Sequence, residues 1–167
     1  SLGILPIACD MRQLEHIAYT PAPDIVHEAA GHAPMIANPD YAAYLRHYGE
    51  ISRKAIASKS DMDVYQAIRT VSELKENPFA SEAEIQHAEH ALMASSASAS
   101  YLSEAAKLSR FYWWTVEYGL IGTLDNPQIY GAGLLSSVGE SETCLDEARA
   151  MRVPFTLDCI NNAYDIT

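Results

Sequence analysis

The chain has 167 residues, 49% of them apolar, with 22 acids against 11 bases and a formal charge of −11 at pH 7. That length suits one domain of ordinary size with a core of its own. The acidic balance argues against nucleic acid and anionic membranes as partners. No apolar run reaches the roughly 18 residues needed to span a bilayer.

In chain order, residues 1–23 carry Pro6, Pro21 and Pro23 and few periodic apolar positions, which predicts an extended or irregular lead-in. A helix is expected to open at Asp24 as its N-cap and to be limited by Gly31 and Pro34. After the turn-like Asn38-Pro39, a second helix is expected from about Asp40 through Tyr41, Tyr44, Leu45 and Tyr48. Ser60-Asp61-Met62-Asp63 resembles a capping box ahead of Tyr65, Ile68, Val71 and Leu74. Asn77-Pro78 ends that helix, and Ser81-Glu82-Ala83-Glu84 is a full capping box for the next. Ala94 to Ser100 is only Ala and Ser, which fits a close-packing helix or a break. A long helical pattern follows from Tyr101 into Phe111-Tyr112-Trp113-Trp114. Asp125-Asn126-Pro127 predicts a turn, Ile129-Tyr130 a short strand, Gly131-Ala132-Gly133 a tight loop, and the alternating Val153, Phe155 and Leu157 a strand. The fold class expected is mainly α with minor β, in one domain over 1–167.

Cys9, Cys144 and Cys159 are odd in number and far apart, so they suit neither a disulfide framework nor a zinc ribbon. The N-terminal stretch has no basic region before its apolar residues and does not read as a signal peptide. A reducing cytoplasm is the expected compartment.

Two of the six histidines stand out in His27-Glu28-Ala29-Ala30-Gly31-His32. The spacing of five differs from the spacing of four that puts two zinc ligands on one helix face. On an ideal α-helix it leaves the rings about 140° apart. Both can reach one metal only if the helix ends or distorts between them; otherwise they are surface histidines. With no thiolate cluster, a third ligand would be a carboxylate. Glu117 lies in the apolar run Tyr112-Trp113-Trp114-Thr115-Val116-Glu117-Tyr118-Gly119-Leu120, where an unpaired buried carboxylate is costly. Its partner is either a cation or Arg110, unless it snorkels to water. Two His and one carboxylate form the facial triad of non-haem Fe(II) oxygenases.

Three stretches carry a specific resemblance. Residues 19–34 (Tyr19-Thr20-Pro21 through Ala33-Pro34), Tyr112 through Leu120, and Tyr130-Gly131-Ala132-Gly133-Leu134-Leu135-Ser136-Ser137-Val138-Gly139-Glu140 resemble, in order, the signatures of the pterin-dependent aromatic amino acid hydroxylases. The nearest type is a larger bacterial phenylalanine 4-monooxygenase, with residues 47–107 as a helical insertion in the catalytic domain. The resemblance implies Fe(II) held by His27, His32 and Glu117, and a tetrahydropterin co-substrate. The reaction it implies is ring hydroxylation of an aromatic amino acid with O2, phenylalanine favoured; Trp113 matches the phenylalanine and tyrosine hydroxylases better than the tryptophan hydroxylases.

It further implies that Glu28 and Tyr112 face the pterin and the iron, and that Ser109 contributes to cofactor binding. Arg12 and Thr20 would hold the substrate carboxylate. Pro23, His27 and Trp113 would form the ring slot, with Tyr118 where a Phe is usual, and Ser136 would orient His27. The family's loop before the Arg position, with a stacking Phe and a His, is not matched here, and Pro6 stands near the expected His. The chain is therefore expected to be the iron-bearing middle of a longer catalytic domain. The alternatives are an iron-binding but inactive homologue and a helical interaction module. Oligomeric state is left open.

Overall fold

A computed structural model describes residues 11, 23–98 and 101–164. In chain order it holds a π-helical turn (His27–His32), α1 (Ala33–Ile36), α2 (Pro39–Ser52), α3 (Lys59–Glu76), α4 (Glu82–Ala97) and α5 (Glu104–Tyr112). A second π-helical turn (Trp113–Glu117), β1 (Leu120–Thr123), β2 (Asn126–Ile129), α6 (Ala132–Ser136), α7 (Val138–Thr143) and a 3-10 turn (Leu157–Asn161) follow. The fold is mainly helical with one small sheet, as expected. Contacts divide it into two compact units, one from residues up to 54 and from 109 onward, the other from residues 55–108.

In the first unit, Asp24 starts the chain's turn toward the site. Its buried carboxylate accepts the backbone N–H of His27 at 2.9 Å, the N-cap bond its residue type favours. Asn38 caps α2 in the same way, accepting from the N–H groups of Asp40 (2.9 Å) and Tyr41 (3.1 Å). β1 and β2 form an antiparallel hairpin with Leu120 opposite Ile129 and Thr123 opposite Asn126. Asn126 and Pro127 are therefore strand residues and the turn is Leu124-Asp125, which corrects the turn expected at 125–127. Pro127 is tolerated because a two-stranded ribbon is all edge.

α6 begins at Ala132, so the tight loop expected at 131–133 is a helix start instead. The core of this unit lies between α6 and the two π turns, where Val116 and Ala132 are fully buried and Leu134 nearly so. Burying Leu134 contributes about 2 kcal/mol. No strand forms at 153–157: Val153, Phe155 and Leu157 are 62%, 61% and 71% exposed and pair with no strand among the described residues. Alternation alone cannot make a strand where no ladder partner is present. The end of the 3-10 turn that follows is tied to α5 and the second π turn: Arg110 Nη1 donates to the Asn161 carbonyl (3.0 Å) and Trp114 Nε1 to that of Asn162 (3.1 Å).

In the second unit, α3 and α4 pack along each other over Val71, Ala88 and Leu92, with Lys75 paired to Glu89 at 3.0 Å. The capping box of α3 is Ser58 with Asp61, two residues earlier than the expected Ser60-Asp63. Ser58-Lys59-Ser60-Asp61-Met62-Asp63 offers both frames; the buried Ser103 selects the first by donating to Asp61 Oδ2 at 2.6 Å. Ser81 and Glu84 form the box of α4 as expected, and α4 continues through the Ala/Ser stretch to Ala97. No described helix is long and apolar enough to cross a membrane.

Candidate metal centre

The His27–His32 segment is π-helical, and the next N–H, that of Ala33, bonds the Glu28 carbonyl five residues back. Hydrogen bonding at i→i+5 brings residues five apart onto one face. This is the distortion that the five-residue spacing requires. Gly31 permits it to sit close to α6: a Cβ on Gly31 would lie 2.6 Å from the Ala132 carbonyl oxygen and 3.0 Å from its Cβ. Glu117 closes the second π turn, where the Tyr118 N–H bonds the Trp113 carbonyl at 2.9 Å.

The three side chains converge. His27 Nε2 and His32 Nε2 are 3.1 Å apart, with the ring planes at 83°. Glu117 Oε2 is 3.5 Å from His27 Nε2, and its Oε1 is 3.3 Å from His32 Nε2. Among the described residues these three form the group able to hold a metal ion, with ligand atoms within 4.8 Å of one another. Donors bound to one cation at about 2.1 Å lie about 3.0 Å apart at right angles and about 3.4 Å apart at tetrahedral ones. The 3.1 and 3.3 Å separations fall there, the 3.5 Å from His27 to the other Glu117 oxygen lies just beyond, and two imidazoles with one carboxylate suit a first-row divalent metal. Arg110 is turned to Asn161, so Glu117 pairs with His32 rather than with that arginine.

The protonation pattern follows from Ser136. Its hydroxyl donates its one proton to the Ala132 carbonyl at 2.8 Å. It must then accept from His27 Nδ1, 2.9 Å away, which leaves His27 Nε2 with its lone pair toward the triad. Burial lowers the His27 pKa, and His32 adds to that, outweighing the charge of Glu117. Burial also pulls on His32, but its hydrogen bond to Glu117 and the charges of Glu117 and Glu28 outweigh it and raise the pKa. The hydrogen bond to Glu117 uses a proton on His32 Nε2, and a cation binding there displaces it.

Around the triad lies an aromatic shell. Tyr112 is half-buried beside Tyr48 (centroids 4.9 Å), and burial followed by the charge of Glu117 pushes its phenol well above the usual range. Trp113 stacks on Tyr118 at 4.7 Å and on Tyr164 at 4.3 Å. Ser109, exposed, bonds the Tyr164 hydroxyl at 3.1 Å. Glu28 follows His27 in the first π turn, and Pro23 is exposed just before Asp24. Arg12 and Thr20 lie outside the described residues. Sequence reasoning did not single out Tyr164 or Tyr41 for the site. Tyr164 stands well beyond the last of the three motifs and gives no periodic signal, and Tyr41 read as a helix-face apolar residue.

The family described as biopterin-dependent aromatic amino acid hydroxylase matches residues 8–71 and 74–167. The chain belongs to that family. It is 32% identical over 157 residues to the phenylalanine-4-hydroxylase of Chromobacterium violaceum, covering 94% of this chain and 38% of that enzyme. It is 31% identical over 129 residues to human phenylalanine-4-hydroxylase, covering 77% of this chain and 19% of the human one. The chain thus spans well under half the length of these relatives. A crystal structure of the C. violaceum enzyme with bound iron(III) and 7,8-dihydrobiopterin superposes with a TM-score of 0.52 at 28% identity, over 93% of this chain and 41% of that one. The cobalt-bound form of the same enzyme gives 0.52, also at 28% identity, over 96% and 43%.

Proposed function

We propose that the chain carries the iron-binding part of a tetrahydropterin-dependent monooxygenase that hydroxylates the ring of an aromatic amino acid with O2, phenylalanine giving tyrosine. The observation that carries this reading is the convergence of His27, His32 and Glu117 on one point from two π turns. Iron and a reduced pterin, when bound, would supply the reductive activation of O2. His27, His32 and Glu117 would hold the iron and leave positions open for the reactants. Ser136 keeps His27 Nε2 unprotonated and its ring fixed.

Arg12, with Thr20, would hold the substrate carboxylate in a guanidinium fork and so set which ring carbon faces the metal. Pro23, His27, Trp113 and Tyr118 would line the ring slot and keep it dry. Glu28, Tyr112 and Ser109 would lie on the pterin side.

A second reading, iron binding without turnover, is supported by Tyr164 stacked 4.3 Å from Trp113, on a face a substrate ring would use. The deciding experiment reconstitutes the chain with Fe(II) and follows tyrosine formation from phenylalanine with and without tetrahydropterin. Pterin-dependent tyrosine is the expected result. Bound iron with no product selects the second reading, and failure to bind iron refutes both.

A further inference from the structure

The second π turn departs from the register of α5. The Tyr118 N–H reaches back five residues to the Trp113 carbonyl (2.9 Å), whereas the Gly119 N–H reaches back four, to that of Thr115 (3.0 Å). The wide register is therefore confined to the turn that ends in Glu117. Such turns are rare and have a local cause. If α5 kept its own register, one residue would leave the turn and Glu117 would rotate by about 100° around the axis. Its carboxylate would then turn away from His27 and His32.

Thr115 lies inside that turn and is 9% exposed. Its hydroxyl donates to the Phe111 carbonyl four residues back at 2.7 Å, with the Tyr112 carbonyl at 3.4 Å. A threonine hydroxyl on that carbonyl competes with the helix's own N–H and bends the helix there. Its single proton is spent on the backbone, so the contact with Tyr44 has one direction: the Tyr44 hydroxyl donates to Thr115 Oγ1 at 2.8 Å. The Tyr44 ring also packs on Phe111, with centroids 6.2 Å apart. α2 thus grips the helix at two residues one turn apart, Phe111 in α5 and Thr115 in the π turn.

We propose that Thr115 and Tyr44 are positioning residues for Glu117: the relay from Tyr44 through Thr115 to the Phe111 carbonyl holds the turn in its π register and so keeps the carboxylate aimed at the metal. The inference rests on the triad being a metal site.

The test compares Thr115→Val, which keeps the branched shape without the hydroxyl, with Thr115→Ser, which keeps the hydroxyl, and with Tyr44→Phe. Each is titrated with Co(II), read by visible absorption, and melted without metal. Thr115→Val is expected to bind Co(II) about 10-fold more weakly or worse, with a shifted absorption band. Tyr44→Phe should move both readouts the same way, the double variant should bind no more weakly than Thr115→Val alone, and Thr115→Ser should stay close to wild type. A Thr115→Val chain that melts lower but keeps wild-type affinity and band would overturn the inference, because its hydroxyl would then serve the fold alone. Thr115→Ser binding as weakly as Thr115→Val, or additive losses in the double variant, would overturn the relay. If Thr115→Val does not fold, Tyr44→Phe decides, and wild-type Co(II) binding by it overturns the inference. Wild type that binds no Co(II) would overturn both the inference and the metal site beneath it.

Discussion

Gly31→Ala and Gly49→Ala make the same chemical change in helical backbone and should have opposite results. A Cβ on Gly31 meets the Ala132 carbonyl oxygen at 2.6 Å and the Ala132 carbonyl carbon at 3.1 Å. A close carbon–oxygen contact is about 3.3 Å, so the first π turn and α6 must separate by about 0.7 Å. Both partners are backbone and cannot rotate away. Overpacking of this kind costs about 1–3 kcal/mol, which lowers Tm by about 2–12 °C for a chain of this size. The same separation pulls Ser136, the last residue of α6, away from His27 Nδ1 and so weakens metal binding. A Cβ on Gly49 in α2 has nothing within 4 Å. There the gain in helix propensity, about 0.5–1 kcal/mol, should leave Tm unchanged or slightly raised. Thermal melts and metal titrations of both variants check this. Gly31→Ala behaving like Gly49→Ala in both assays would refute the claim that a glycine is needed for the approach of the π turn to α6.

Ser136→Ala removes the acceptor that fixes the His27 tautomer, and metal affinity should fall about 10–100-fold. A Co(II) or Fe(II) titration measures it, and an unchanged affinity would mean that the Nδ1 proton is held some other way. In the second unit, burial tends to raise the Asp61 carboxyl, but its hydrogen bonds from Ser103 and Ser58 outweigh that and hold it below its ordinary value. A carboxylate with a folded pKa below its unfolded one stabilises the fold above pH about 4 and loses that contribution as pH falls through the folded pKa. Acid titration of helicity should therefore show an extra loss below pH about 4 that Asp61→Asn lacks. At neutral pH the same variant should lose about 1 kcal/mol with the capping box.

The elements most legible from sequence are those set by local chemistry. Asp24, Asn38, and Ser81 with Glu84 cap helices where their side chains alone suggest. The triad was legible because the order of three motifs resembles a family; spacing alone set His27 and His32 on different helix faces. What reconciles them is the π-helical hydrogen-bond register, which depends on packing against α6 and leaves no periodic mark in six residues. The capping frame of α3 was ambiguous for a similar reason. Two overlapping Ser-x-x-Asp patterns are locally equivalent, and a tertiary bond from Ser103 decides between them. The expected strand at 153–157 had the right alternation but no partner to ladder with, a property that belongs to the fold and not to the segment. Gly131-Ala132-Gly133 read as a loop because glycine signals turns, whereas Gly131 is needed for the close approach of its backbone to the Glu117 carbonyl.

The central claim is that His27, His32 and Glu117 form one metal site. Its most direct test is metal content after anaerobic reconstitution with Fe(II) and desalting, for wild type, His32→Ala and Glu117→Ala. About one iron per wild-type chain, lost from both variants while their helicity is retained, is the result a three-ligand site predicts. No iron retained by wild type, or iron retained equally by both variants, would contradict it.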